Sequence, residues 1–204
     1  MREKILPRLL GPVENGMGNI ATILLIGYRA TGKTTCGKLL ARRLGWRFLD
    51  MDEVLKKRLG GEIDEVVREK GWDTFRAEEK RLLKEIVTSS GYADHVVATG
   101  GGVVLHQEAM EAMPPHILSI WLKASPRTIA HRMSMDSGTA RNRPPLTLET
   151  PPSSMEQRHR VVLNEIERVL QEREPLYRYF SHLTIEVDSL TPQETTERIL
   201  SHAR

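Results

Sequence analysis

Residues 27 to 34 read Gly27-Tyr28-Arg29-Ala30-Thr31-Gly32-Lys33-Thr34, after a short apolar run from Ile20 to Ile26 and before a helical pattern from Cys36 to Leu44. A glycine-containing turn between a strand and a helix lets successive backbone N–H groups surround phosphate oxygens at the helix N-terminus. The lysine adds a charge for the β and γ phosphates, and a Ser or Thr hydroxyl reaches Mg²⁺. All eight positions fit this P-loop pattern in the right strand–helix context, so the chain is expected to bind a nucleoside triphosphate. The nucleotide site runs through Gly27, Ala30, Thr31, Gly32, Lys33, Thr34 and Thr35.

Outward from this loop, β-rich runs at Ile20–Ile26, Trp46–Asp50, His95–Thr99, Ile117–Leu122 and Leu183–Val187 alternate with helical patterns. Such alternation predicts an α/β domain of three layers, a five-stranded parallel sheet covered by helices on both faces. The last helix is expected to begin near Pro192, a good first-turn residue. Residues 20–204 read as this one domain and residues 1–19 as a flexible extension, with Pro7, Gly11, Pro12, Gly16 and Gly18 breaking any pattern. The segment from Met133 to Arg160, with Pro144, Pro145, Pro151 and Pro152, reads as a long loop of the kind that forms lids.

Composition narrows the function. Charged residues make up 28% of the 204 but the net charge is only +3, and no dense Lys/Arg block stands beside aromatics, so nothing points to nucleic acid. No apolar run approaches the roughly 20 residues of a membrane span. Cys36 is the one cysteine, which excludes an internal disulfide and a multi-cysteine metal site; it is expected to be a small buried side chain. The simplest reading is a cytoplasmic monomer that acts on small molecules.

Ligands of open parallel sheets bind beyond the carboxyl ends of the strands, and three suggestive segments fall there. The P-loop follows the first strand. Asp50-Met51-Asp52 ends the second, where one carboxylate can support Mg²⁺ and the other accept a hydrogen bond, then a proton, from a substrate hydroxyl. Asp52 also suits the N-cap of a helix over Glu53–Leu59. Gly100, Gly101 and Gly102 end the third strand and strip it of side chains, which costs entropy but permits close approach to bare backbone. Arg76 follows Asp73, an expected helix N-cap, so its charge opposes the helix dipole, while Glu79 and Lys80 nearly cancel as neighbours. Recognition of an anion accounts for it better, since guanidinium meets a carboxylate through two parallel hydrogen bonds.

The ordered set GYRATGKT, FLDMD, GWDTFRAEE, ATGGGVV, RNRPPL and EREPLYRYF resembles the shikimate kinases, P-loop kinases related in fold to nucleoside monophosphate kinases. The resemblance implies transfer of the γ-phosphoryl group of ATP to the 3-hydroxyl of shikimate. It gives Lys33 the phosphates, Thr34 and Asp50 the Mg²⁺ ion, and Asp52 the reacting hydroxyl, as candidate base. Arg76 and Arg173 match the arginines that clamp the substrate carboxylate, Gly100 to Gly102 line the same pocket, Arg132 flanks the adenine, and Arg143 is the lid arginine.

The chain departs from that family's pattern in four places. Ala30 stands where a further glycine is common, the stretch from Arg143 to Arg173 is long, Arg141 competes with Arg143, and Asp188 to Thr191 bring no arginine to the adenine. Two alternatives share the same residues: a P-loop kinase for another hydroxy acid such as gluconate, and a non-catalytic nucleotide-binding regulator.

Overall fold

The central strand β1 (Thr22–Ile26) is buried at every position, as a parallel strand covered on both faces must be. A computed structural model describes residues 20–135 and 155–202. Around β1 lie β2 (Arg47–Asp50), β3 (His95–Ala98), β4 (Ile117–Lys123) and β5 (Leu183–Glu186), all parallel, in the order β2-β3-β1-β4-β5. Leu24, Leu25, Val96, Val97 and Ile120 are fully buried at the centre of the core. The expected five-stranded parallel sheet is therefore present, each strand within two residues of its expected ends.

The helices are α1 (Lys33–Leu44), α2 (Met51–Leu59), α3 (Ile63–Thr88), α4 (Gln107–Glu111), α5 (Pro126–Met135), α6 (Met155–Phe180) and α7 (Pro192–His202). α1 packs on the β1–β3 side of the sheet and against α7, while α6 crosses β4, α5 and the 3₁₀ turn Val103–Leu105. α7 starts at Pro192 as expected. Thr191 and Glu194 close it by exchanging bonds, Thr191 N–H to Glu194 Oε2 at 2.8 Å and Glu194 N–H to Thr191 Oγ1 at 3.2 Å.

Local expectations are corrected at three points. Asp50, not Asp52, is the N-cap of α2, its Oδ1 accepting the Asp52 N–H at 3.0 Å. β2 runs directly into α2, so the last strand residue is also the first one free to fold its carboxylate back onto the turn. Asp73 is not a cap either, because α3 is already under way by Ile63 and breaks at Gly71 (φ 80, ψ 163), ahead of Asp73. The expected loop over 133–160 is shorter at both ends: Met133–Met135 complete α5, and 155–160 belong to α6. Arg141, Arg143, the four prolines between them and α6, and residues 1–19 lie outside the described residues.

The P-loop backbone shows two opposite stresses. Gly27 has φ 135, and a Cβ there would lie 2.5 Å from the Leu122 carbonyl oxygen on β4. Ala30, in the place where glycine is common, takes φ 61, in the left-handed region that penalises a Cβ. Gly27→Ala should therefore destabilise by about 2 kcal/mol or more, since backbone must move. Ala30→Gly should stabilise by about 0.5–1 kcal/mol, relief of strain outweighing the added chain entropy. Denaturant unfolding of the two variants beside wild type measures both signs.

Candidate active site

Lys33 opens α1, whose N-cap is Gly32 at φ 95 with no side chain bonding the first N–H groups. A helix end so left presents its orphan donors and its positive dipole end to an anion. Lys33 is buried to 8% exposure, and its Nζ donates to the Gly27 and Tyr28 carbonyls at 2.8 and 2.7 Å, which arches the ammonium over the loop. Thr31 Oγ1 donates to the Tyr28 carbonyl at 2.8 Å and braces the same turn. Thr34 Oγ1 donates to Asp50 Oδ2 at 2.7 Å. A hydroxyl and a carboxylate, both hard oxygen donors, thus meet at the mouth of the loop, a pair suited to Mg²⁺ that keeps its other positions for phosphate and water. Among the described residues no group of three or more His, Cys, Asp or Glu could hold a metal by itself.

The strand order sets β3 between β1 and β2, so the glycine run after β3 lies between the P-loop and Asp50-Met51-Asp52. Thr99 pins that strand end to β1, with its N–H and Oγ1 reaching the Leu25 carbonyl at 3.2 and 2.9 Å. Each of the three glycines is approached so closely that a side chain would not fit comfortably. A Cβ on Gly100 would come within 2.5 Å of Glu79 Oε1 and 3.2 Å of Asp52 Oδ1; on Gly101, within 3.2 Å of the Arg29 backbone nitrogen; on Gly102, it would overlap the Arg76 guanidinium. The Gly101 carbonyl accepts from Arg173 Nη1 at 3.0 Å and from the Tyr177 hydroxyl. Arg76 and Arg173, far apart in sequence, therefore converge on adjacent glycines.

Arg76 does have a local partner, against the expectation that its neighbours cancel. It pairs with Glu79, which is 1% exposed, while the charge of Lys80 turns away to Glu108 at 2.7 Å. His106 Nε2 meets the same Glu79 Oε2 at 2.9 Å. Burial pushes the Glu79 carboxyl up, but the His106 hydrogen bond and the Arg76 charge together outweigh it and hold the group below the usual carboxylate range. The Arg76 guanidinium also lies over the Trp72 and Phe75 rings, 5.2 and 5.4 Å from their centroids.

Tyr177, Glu79, His106, Arg29 and Glu165 belong to the site but were not singled out by sequence. Tyr177 is fully buried, stacked on Trp121 at 5.7 Å, and burial pushes its hydroxyl pKa far up, so it stays a donor to Gly101. A signal existed for it, since it lies one helical turn beyond Arg173 on α6. Arg29 reaches from the P-loop to Glu165 of α6 at 3.6 Å, which no local pattern announces. Arg132 of α5 donates to the Thr31 carbonyl at 3.4 Å and to the Val187 carbonyl at 2.8 Å, tying the P-loop to the end of β5. Asp188 accepts the Ser125 N–H at 2.9 Å at the same end of β5. Cys36 is buried beneath Pro192 and its thiol is pushed up by that burial, as a packing residue would be. No helix among the described residues is long and apolar enough to cross a membrane.

A P-loop at the centre of a five-stranded parallel sheet, with two aspartates and two guanidiniums set around the neighbouring glycine run, defines a P-loop small-molecule kinase. The family described as "Shikimate kinase" matches residues 29–204. Shikimate kinase 2 of Yersinia enterocolitica is 36% identical over 179 residues, covering 88% of this chain and 93% of that protein. Shikimate kinase of Thermodesulfovibrio yellowstonii is 38% identical over 178 residues, 87% of this chain and 92% of its own length. Among solved structures, shikimate kinase from Acinetobacter baumannii in complex with shikimate superposes with a TM-score of 0.76 at 27% identity, covering 90% and 92% of the two chains. The enzyme from Aquifex aeolicus gives 0.67 at 29%, covering 88% and 94%. The chain belongs to the shikimate kinase family and is an ATP-dependent kinase.

The Glu79 cluster makes a pH prediction. A carboxyl whose folded pKa is depressed adds stability that is fully present above its ordinary value of 4.5 and is lost as the pH falls through the lower folded value. The stability gap between wild type and Glu79→Gln should shrink as the pH falls below about 5. Urea unfolding across this range checks the sign.

Proposed function

We propose that this enzyme transfers the γ-phosphoryl group of ATP to the 3-hydroxyl of shikimate, with the residues above in the following roles. The observation that carries the reading is the convergence of Asp52, Arg76 and Arg173 on the bare glycine run beside the P-loop. Two guanidiniums on adjacent backbone positions fit a carboxylate, and they anchor the acceptor with its hydroxyl toward Asp52. Family membership favours shikimate over another hydroxy acid such as gluconate, and the intact Lys33, Thr34, Asp50 and Asp52 favour a working enzyme over a non-catalytic regulator.

Lys33 and the first N–H groups of α1 hold the β and γ phosphates, and Arg132 bounds the adenine side where the P-loop meets β5. Thr34 and Asp50 would hold Mg²⁺, which when bound neutralises phosphate charge. Asp52 accepts the hydroxyl proton as the oxygen forms its bond to the γ phosphorus and the bridging oxygen leaves with ADP. Little covalent work falls to the protein, so the rate rests on holding acceptor and phosphate in line. We assign Arg143, with Arg141 as its competitor, to the lid that covers the transferring phosphate; both lie outside the described residues. As setting we propose a monomer in the cytoplasm, where ATP is supplied and a lone thiol stays reduced.

Four substitutions separate these roles in a coupled ADP-release assay run with a panel of hydroxy acids. Lys33→Met should fold but lose at least about 10²-fold in kcat, the scale of one preorganised charge-stabilising group. Arg76→Ala or Arg173→Ala should weaken shikimate binding by about 2 kcal/mol or more and leave ATP affinity nearly unchanged; equal loss of both ligands would indicate misfolding. Asp52→Asn should abolish most turnover while the melting temperature holds, because the cap of α2 is Asp50 and remains in place. Turnover of another hydroxy acid in preference to shikimate would sink the substrate assignment.

A further inference from the structure

We propose that His106 is a positioning residue for the acceptor's carboxylate: it grips Glu79 so that Glu79 presents the Arg76 guanidinium to the pocket. This rests on the reading that Arg76 binds that carboxylate, and it adds a residue outside the pocket to the determinants of acceptor affinity.

The geometry is a relay of three side chains. Arg76 Nη1 and His106 Nε2 both donate to Glu79 Oε2, the second at 2.9 Å, while Glu79 Oε1 faces Gly100. Facing a carboxylate held ionised, His106 Nε2 is the nitrogen that carries a proton. The ring is 9% exposed and is not spent on its own helix. The backbone carbonyl of His106 begins α4 by accepting the Ala109 and Met110 N–H groups, each at 3.0 Å, and no side chain caps that end.

His106 follows the 3₁₀ turn Val103–Leu105, which itself starts from Gly102. The ring is therefore anchored to the far end of the glycine run that the guanidinium lies against. Glu79 is held from α3 by Arg76 and from the glycine run by His106, and the two ends of the relay touch the same short stretch of backbone. Without the imidazole donor, Oε2 keeps a single directional partner and the carboxylate can turn about its last torsion, which is soft. The guanidinium then loses its fixed angle over Gly102. Buried polar side chains that orient a ligating group change affinity without touching the ligand.

The test uses the full chain, with shikimate and ATP titrated separately. His106→Ala should raise the shikimate KM about tenfold, the scale for removing a partner that orients a binding group. Its kcat at saturating shikimate and its ATP KM should stay within about twofold of wild type. His106→Gln, whose amide N–H reaches as far as Nε2, should restore most of the affinity; His106→Asn, which stops short, should not. If the alanine variant fails to fold, the Gln and Asn pair decides by the same criterion. Arg76→Ala is run in parallel. An unchanged shikimate KM in Arg76→Ala overturns the carboxylate reading and this inference with it. A raised KM there with an unchanged KM in His106→Ala leaves that reading standing and overturns the role of His106. A lowered melting temperature with unchanged KM, or equal loss of both substrates, assigns the ring to stability alone and also overturns it.

Discussion

The absence of side chains at Gly100, Gly101 and Gly102 is the constraint around which the rest of the site is arranged. Asp52 from α2, Arg76 and Glu79 from α3, Arg173 and Tyr177 from α6, and the P-loop backbone at Arg29 all close on these three residues. A single Cβ at Gly102 would overlap the Arg76 guanidinium, and one at Gly100 would overlap Glu79. Three separate helices can approach one strand end only because that end is bare backbone. The entropy lost in ordering glycine is offset by the convergence it allows.

Convergence at this density creates an electrostatic problem, and the protein resolves it with buried counter-charges. Arg76 and Arg173 lie on the glycine run with Arg29 and Lys33 on the adjoining P-loop, and two nearly buried carboxylates, Glu79 and Glu165, pair with Arg76 and Arg29. Buried pairs of this kind are weak sources of net stability because desolvation consumes much of the attraction. Their value here is directional: a guanidinium fixed on its own carboxylate has the direction of its remaining donors fixed as well. Arg29 with Glu165 does the same for the P-loop, tying it to the helix that carries Arg173. The P-loop and the arginine on the glycine run are thereby mounted on one helix, and in-line transfer depends on such fixed relative placement.

Where sequence reading and structure disagree, the cause is a partner that local pattern cannot reveal. Asp50 and Asp52 stand out in the sequence as a pair, but which one caps α2 depends on β2 entering the helix without an intervening turn. For Arg76 the sequence offers Glu79 and Lys80 as neighbours of opposite effect, and local pattern alone does not say which of them it meets. The helix surface sends Lys80 outward to Glu108 and Glu79 inward to His106, so the two never compete. Tyr177 could have been found one turn beyond Arg173. His106 could not, since nothing in its neighbourhood of sequence marks it.

By itself the sequence determined everything that short-range chemistry encodes: the P-loop with its lysine and threonine, the alternation of strand and helix, the bare glycine run, and the arginines and aspartates suited to phosphate, metal and carboxylate. Those features depend on residues within a turn or two of one another, where backbone preference and periodicity decide the outcome. Only the tertiary structure decided that β3 enters between β1 and β2, which sets the glycine run beside both the P-loop and Asp50. It alone decided that α6 returns 72 residues later to put Arg173 on the Gly101 carbonyl. Strand order and helix return are choices of the whole core, made by which faces bury together, and no local stretch of chain contains them.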